Sequence, residues 1–196
     1  RSSDLLTMPD PFKRSRTTQD AILLAFADRL KTVDQLNDKN VVVSDQPIPD
    51  QFTDGGLNIT VSGGSGKFGL PGGHHATANE NGDVVVGIYL QSNRDRPGRR
   101  EVALAGRQTK DGANQALTRK SLIAWKRDIL SKILVDDPTK GPASNSWMPL
   151  DADGYPMLRS EILPGRCIGP LDVPDEPLWI GMHLYFTVSW DWYLYG

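Results

Sequence analysis

From Leu178 to Leu194 every second residue is apolar: Leu178, Ile180, Met182, Leu184, Phe186, Val188, Trp190, Trp192 and Leu194. Between them stand Trp179, Gly181, His183, Tyr185, Thr187, Ser189, Asp191 and Tyr193. Successive side chains of a strand point to opposite faces, so nine matches to a period of two predict β structure with one buried face. Unbroken, such a strand runs about 56 Å at ~3.3 Å per residue. A globule of this length is roughly 42 Å across, from a radius of gyration of about 16 Å. The strand therefore outruns its own domain unless a bulge near Gly181 bends it or one end reaches a neighbouring subunit. Water does not cover an apolar face of this size, so Leu184, Phe186, Val188, Trp190 and Trp192 are candidates for sheet core or interface. For the two tryptophans, core or interface is preferred over a ligand cage.

The other elements are shorter. Residues 1–16 hold two prolines and no periodic pattern, and read as an extended arm. Thr17 or Thr18 caps a first helix, whose buried stripe is Ala21, Ile22, Ala25, Phe26, Arg29, Leu30 and Val33. Val41–Val43 reads as a short strand, stopped by the turn at Pro47 and Pro49. Asp54-Gly55-Gly56 opens a strand at Leu57, Ile59 and Val61. Residues 63–82 hold seven glycines and predict a flexible connection. Asn81-Gly82-Asp83 then reads as a turn that launches a second strand. That strand carries Val84, Val86, Ile88 and Leu90 on one face and Val85, Gly87 and Tyr89 on the other, so it is expected to be central and covered on both sides. A second helix is expected from about Asp111 to Val135, with a stripe of Leu122, Ile123, Ile129, Leu130, Ile133 and Leu134 broken by Lys126. Pro138 prevents its continuation. Residues 138–177 read as irregular, with one short strand near Met157-Leu158.

Gly and Pro together are 33 of 196 residues, above the average share, in keeping with long loops. Apolar residues are 38% of the chain, enough for a core. The net charge of −2 and pI of about 5.9 count against a binder of nucleic acid or anionic membrane by bulk charge. No apolar run reaches the ~18 residues of a membrane span, and RSSDLLTMPD has no signal-peptide core. The first residue is Arg rather than Met, which predicts that a preceding segment was removed or left out. The composition predicts a soluble globular chain from a reducing or neutral setting. Charge is nonetheless segregated: residues 94–132 carry 11 basic and 4 acidic side chains, residues 133–196 carry 3 and 9. The basic block comprises Arg94, Arg96, Arg99 and Arg100 in a loop, then Arg119, Lys120, Lys126 and Arg127 on the second helix. No aromatics interleave with the arginines, so no single-strand stacking platform is indicated.

The chemistry-bearing motifs are weak. Gly63-Gly64-Ser65-Gly66-Lys67 resembles a phosphate loop, but Val61 stands where Gly is required, Phe68 where Ser or Thr is, and no helix follows. Adjacent His74 and His75 cannot both face one metal, and His183 sits on the polar face of the closing strand. Asp151, Asp153 and Gly154 lack the remaining ligands of a calcium loop, and a turn held by Asp side chains accounts for them. The single cysteine, Cys167, has no His near it in sequence, allows no disulfide within the chain, and accompanies no G-x-S-x-G elbow. The reading is therefore not an enzyme, with no catalytic residue, cofactor or metal site.

The order of elements resembles that of the tail terminator proteins of long-tailed bacteriophages and their relatives at the head–tail neck. The carriers are the opening helix DAILLAFADRL, the central strand DVVVGIYLQS, the basic loop RDRPGRR, the second helix SLIAWKRDILSKIL and the closing strand HLYFTVSWDWYL. The resemblance spans roughly residues 17–195 and is one of layout. It implies one α+β (α/β) domain over residues 17–196, with a mixed, mostly antiparallel sheet, two main helices on one face, insertions at about 63–82 and 138–177, and a long C-terminal strand. It also implies a structural virion protein, made in the host cytoplasm, that forms a homo-oligomeric ring of about six copies capping the tail tube and joining it to the connector. Tail-tube and connector proteins would be its partners, with no membrane and with non-specific DNA contact in the channel as one option. In such a ring Arg94, Arg96, Arg99 and Arg100 would meet either Asp172, Asp175 and Glu176 of an adjacent copy or the DNA. The alternatives are a head-completion or connector protein of the neck, a small hydrolase or nucleotide-binding domain, and a carbohydrate- or peptide-binding β module unrelated to phage.

Overall fold

The computed structural model describes residues 18–53, 56–69, 77–91, 120–135, 147–151, 154 and 156–193, with the side chains of 68, 69, 77–79 and 191–193 left out. The elements are α1 (Gln19–Lys31), β1 (Val41–Val43), β2 (Leu57–Gly69), β3 (Thr77–Gln91), α2 (Leu122–Leu134), β4 (Leu163–Asp172) and β5 (Trp179–Tyr193). One sheet orders its strands β1-β2-β3-β5-β4. β1 is parallel to β2 and all other neighbours are antiparallel. The fold is α+β, with a mixed, mostly antiparallel sheet and, among the described residues, two helices.

Both helices start where a hydroxyl can satisfy a free amide. Thr18 Oγ1 accepts from the Ala21 N–H at 3.3 Å and Ser121 Oγ from the Ala124 N–H at 3.1 Å. Ser121 is extended, so α2 begins at Leu122, and the expected part of the helix from Asp111 to Arg119 lies outside the described residues. Its buried stripe is Leu122, Trp125, Ile129 and Ile133, while Ile123 is 60% exposed. Trp125, missing from the expected stripe, completes the i, i+3, i+7 spacing. In α1, Ile22, Phe26 and Leu30 are buried as expected, and Arg29 instead donates from Nε to the Lys132 carbonyl at 3.1 Å.

One sheet face and the helices enclose the main core. Ile59 and Val61 of β2, Val84, Val86 and Ile88 of β3, and Ile180, Met182, Leu184, Phe186, Val188 and Trp190 of β5 all belong to it. Phe186 lies 5.9 Å from Phe26, ring centre to ring centre. The other face carries a smaller cluster of Tyr89, Val173 and Trp179, against which Ile48 and Phe52 pack. β3 is thus the middle strand with both faces covered, as its two apolar faces predicted.

Three expectations fail. The glycine-rich stretch 63–82 is largely strand: β2 and β3 continue their ladder through Gly66↔Gly82, Lys67↔Asn81, Phe68↔Glu80 and Gly69↔Asn79, after a register shift between Gly63 and Gly66. Asn81-Gly82-Asp83 is no turn. Gly82 lies under the Trp190 indole, whose nearest atoms are 3.0 and 3.3 Å from where a Cβ would stand, so the glycine serves close approach. Of the two options left open for β5, a bulge near Gly181 does not occur against β3. The strand pairs with β3 without a shift from Thr77↔Tyr193 to Gln91↔Trp179, a ladder of about 50 Å. Gly181 faces the Tyr89 ring, with room for no Cβ. Finally, residues 163–172, expected to be irregular, form β4. The expected Met157-Leu158 strand is absent, and an isolated bridge Leu150↔Pro156 precedes it.

Candidate functional site

β2, β3 and β5 run on past the strands that flank them. β1 ends at Val43, and its last bond into β2 is from the Ser44 N–H to the Val61 carbonyl at 3.0 Å. On the far side β4 starts opposite Thr187, and the Arg159 N–H adds one bond to the Ser189 carbonyl at 2.8 Å. Beyond these points lies a three-stranded arm made of residues 63–69, 77–83 and 187–193. Among the described residues, no strand pairs with the outer edge of β2 from Gly63 to Gly69, a free edge of roughly 20 Å.

The glycines of that edge let β3 side chains reach over it. An added Cβ at Gly64 would stand 2.8 Å from the Asp83 Cβ, and one at Gly66 would stand 2.7 Å from Glu80 Oε1. Asp83 and Glu80 point to opposite faces, so each face of the edge carries a carboxylate. Burial raises the Glu80 pKa above the usual carboxylate value. Thr187 Oγ1 donates to Asp83 Oδ1 at 3.0 Å across the strands. Gly63 is covered by the side chain of Gln19, at the start of α1.

On the face away from the helices, a polar cluster fixes the segment after β1. The Pro47 carbonyl accepts from both Thr60 Oγ1 and Tyr89 Oη, the latter at 2.8 Å. Tyr89 Oη also lies 2.6 Å from His183 Nε2. With its only proton given to Pro47, the tyrosine oxygen accepts from the imidazole, which assigns the His183 proton to Nε2. Burial lowers the His183 pKa and raises that of Tyr89, to which Tyr185 adds. Gly87 is obligatory here, because a Cβ would meet Thr60 Oγ1, the Pro47 carbonyl and the Tyr89 ring. The bonding capacity of Tyr89 is spent on holding residues 44–53 to the sheet, an arrangement that anchors chain.

The residues singled out from the sequence fall in three groups. Arg94, Arg96, Arg99 and Arg100 lie outside the described residues, as do Arg119, His74, His75 and Asp153. Asp172 ends β4, while Asp175, with a φ of 60°, and Glu176 form the exposed turn before β5. Leu184, Phe186, Val188 and Trp190 are core, and the Trp192 side chain lies outside the description. Of the basic helix residues, Lys120 is held within the domain, 3.2 Å from Asp128 and 4.5 Å above the Trp125 ring, whereas Arg127 is exposed. Residues 63–67 are strand rather than a phosphate loop, and Cys167 is exposed on β4. At Asp151 a backbone bond from the Gly154 N–H at 3.0 Å closes the turn. Among the described residues no group of three His, Cys, Asp or Glu side chains is placed to hold a metal ion. The sequence reading missed Glu80 and Asp83. Their signal was the spacing of Gly64 and Gly66, which acquires meaning only with the β2–β3 register. No protein-family model matches the chain, and no curated protein matches it in sequence.

Proposed function

We propose that the chain is a structural subunit that assembles with copies of itself into a ring at the head–tail junction of a long-tailed phage. There it would terminate the tail tube and join it to the connector. The observation that carries the assembly is the free edge of β2. A long row of amides and carbonyls with no partner strand among the described residues is a template for another chain, and it lies here on an arm whose inner face is already buried, with Trp190 only 2% exposed. Segregated charge supports the same reading, since a ring needs two different faces of each copy to meet. The phage setting rests on the layout of elements, and the neck position of a head-completion or connector protein is the closest alternative.

A carbohydrate- or peptide-binding module is less well supported. Trp125, Trp179 and Trp190 are buried, and Trp147 is half-buried with its Nε1 donating to the Ile133 carbonyl at 3.0 Å. None of these rings offers a stacking face. Light scattering across a concentration series, with negative-stain imaging, tests the proposal. Concentration-dependent oligomers with ring profiles are expected, and a monomer at every concentration would sink the assembly. Binding of purified rings to isolated phage tail tubes tests the phage setting separately.

A further inference from the structure

We infer that the free edge of β2 receives the basic segment Phe12–Thr17 of a second copy as an added strand. The inference rests on the assembly proposed above and names the contact that builds it. It starts from which groups are unpaired. In β2 the Ile59 N–H donates to the Asn40 carbonyl at 2.7 Å and the Val61 carbonyl accepts from Ser44, so odd-numbered residues face outward here. Gly63 continues this series past the end of β1, with nothing paired to it among the described residues. The edge runs on to Gly69.

Its side-chain chemistry selects the occupant. With no Cβ on Gly64 or Gly66, Asp83 and Glu80 lean over β2 on opposite faces. A strand added outside β2 would lie about 4.8 Å from it, within reach of arginine and lysine side chains aimed at those carboxylates. The complement is a short basic strand with positive charge on both faces. Phe12-Lys13-Arg14-Ser15-Arg16-Thr17 is such a segment. It carries three positive charges in six residues, with Arg14 and Arg16 on one face and Lys13 on the other. It contains no proline, and Pro9 and Pro11 limit its extension on the N-terminal side. Its six residues fit within the seven from Gly63 to Gly69. It directly precedes Thr18 and Gln19, and Gln19 packs over Gly63, so the segment leaves each copy beside an edge of this kind. Passing it to the next copy is a strand exchange in which every subunit gives one segment and receives another, the heterologous contact that closes a ring.

The test uses the full chain with Cys167→Ser as background. Ser15→Cys is placed in one preparation and Lys67→Cys in another, and the two are mixed and treated with a short bismaleimide. Lys67 is exposed on β2, and urea unfolding of each single-cysteine chain checks that folding is intact. A cross-linked heterodimer of the two variants is expected, with its yield cut about tenfold when the Ser15→Cys chain also carries Arg14→Glu and Arg16→Glu. Light scattering on the same mixture reads assembly independently. Oligomers without the cross-link overturn the strand exchange and leave the ring standing. A doubly substituted chain that cross-links only within itself also overturns the exchange, because the segment then pads its own edge. A monomer without the cross-link overturns both.

Discussion

Phe186 and Thr187 are neighbours on β5 with opposite destinations, and the difference in cost between them measures how well the sheet faces are assigned. Phe186 has no exposed surface and lies against Phe26. Phe186→Ala removes a fully buried ring and leaves a cavity that neighbours on the β3–β5 ladder cannot collapse to fill, which costs about 3–5 kcal/mol. In a chain of this size each kcal/mol lowers the melting temperature by about 2–4 °C, so a fall of roughly 6–20 °C is expected. Thr187 points the other way and gives up one hydrogen bond to Asp83, so Thr187→Ala costs about 1 kcal/mol. Thr187→Asp is worse than Thr187→Ala, because it sets a second carboxylate within bonding distance of Asp83. Urea unfolding followed by tryptophan fluorescence suits the measurement, since Trp125, Trp179 and Trp190 are buried in the folded chain. The predicted order is Phe186→Ala, then Thr187→Asp, then Thr187→Ala. Equal midpoints for the two alanine variants would refute the face assignment and with it the reading of β5 as the roof of the core.

Gly82→Val drives methyl groups into the Trp190 indole and is expected to cost about 1–3 kcal/mol with a red-shifted emission; an unchanged spectrum would restore the turn reading of Asn81-Gly82-Asp83. Tyr89→Phe removes the hydroxyl shared by Pro47 and His183 at a cost of about 1–2 kcal/mol, and amide exchange over residues 44–50 should quicken while that of β5 stays slow. The His183 pKa is lower in the folded chain than the unfolded value of about 6.5, so the unfolded state binds more protons in that range. Stability should therefore fall as the pH drops from about 7 to 5. His183→Gln should flatten that slope in unfolding midpoints taken at each pH.

The strongest elements were legible because burial writes a period into the sequence. The alternation of β5, the two apolar faces of β3 and the Ile22, Phe26, Leu30 stripe of α1 each have one dry side. β4 was not legible for the opposite reason. As an edge strand it has few buried positions, and Pro164, Gly165, Gly169 and Pro170 read as loop, although they serve its two register shifts against β5. The arm was hidden by its glycines, which have no strand preference of their own and are held in place by pairing with β3. The carboxylates above them, like the Tyr89–His183 contact, depend on register across 94 residues of sequence in the latter case. A single sequence carries no trace of that. The basic loop was the most visible feature for function, yet the surface now proposed came from glycines and two acids.

The unbroken β3–β5 ladder also decides how the domain would bear force. A pull along the strand direction, applied at the arm and resisted at the core, loads all fifteen paired positions together, and none can part before the rest. A pull across the strands finds the outer run of β2 first, where glycines and a register shift let the bonds open one after another. The same arm is therefore a stiff tie in one direction and a peelable seam in the other. Force applied along the strands would be held, whereas force applied across them at this edge would open Gly63–Gly69 first.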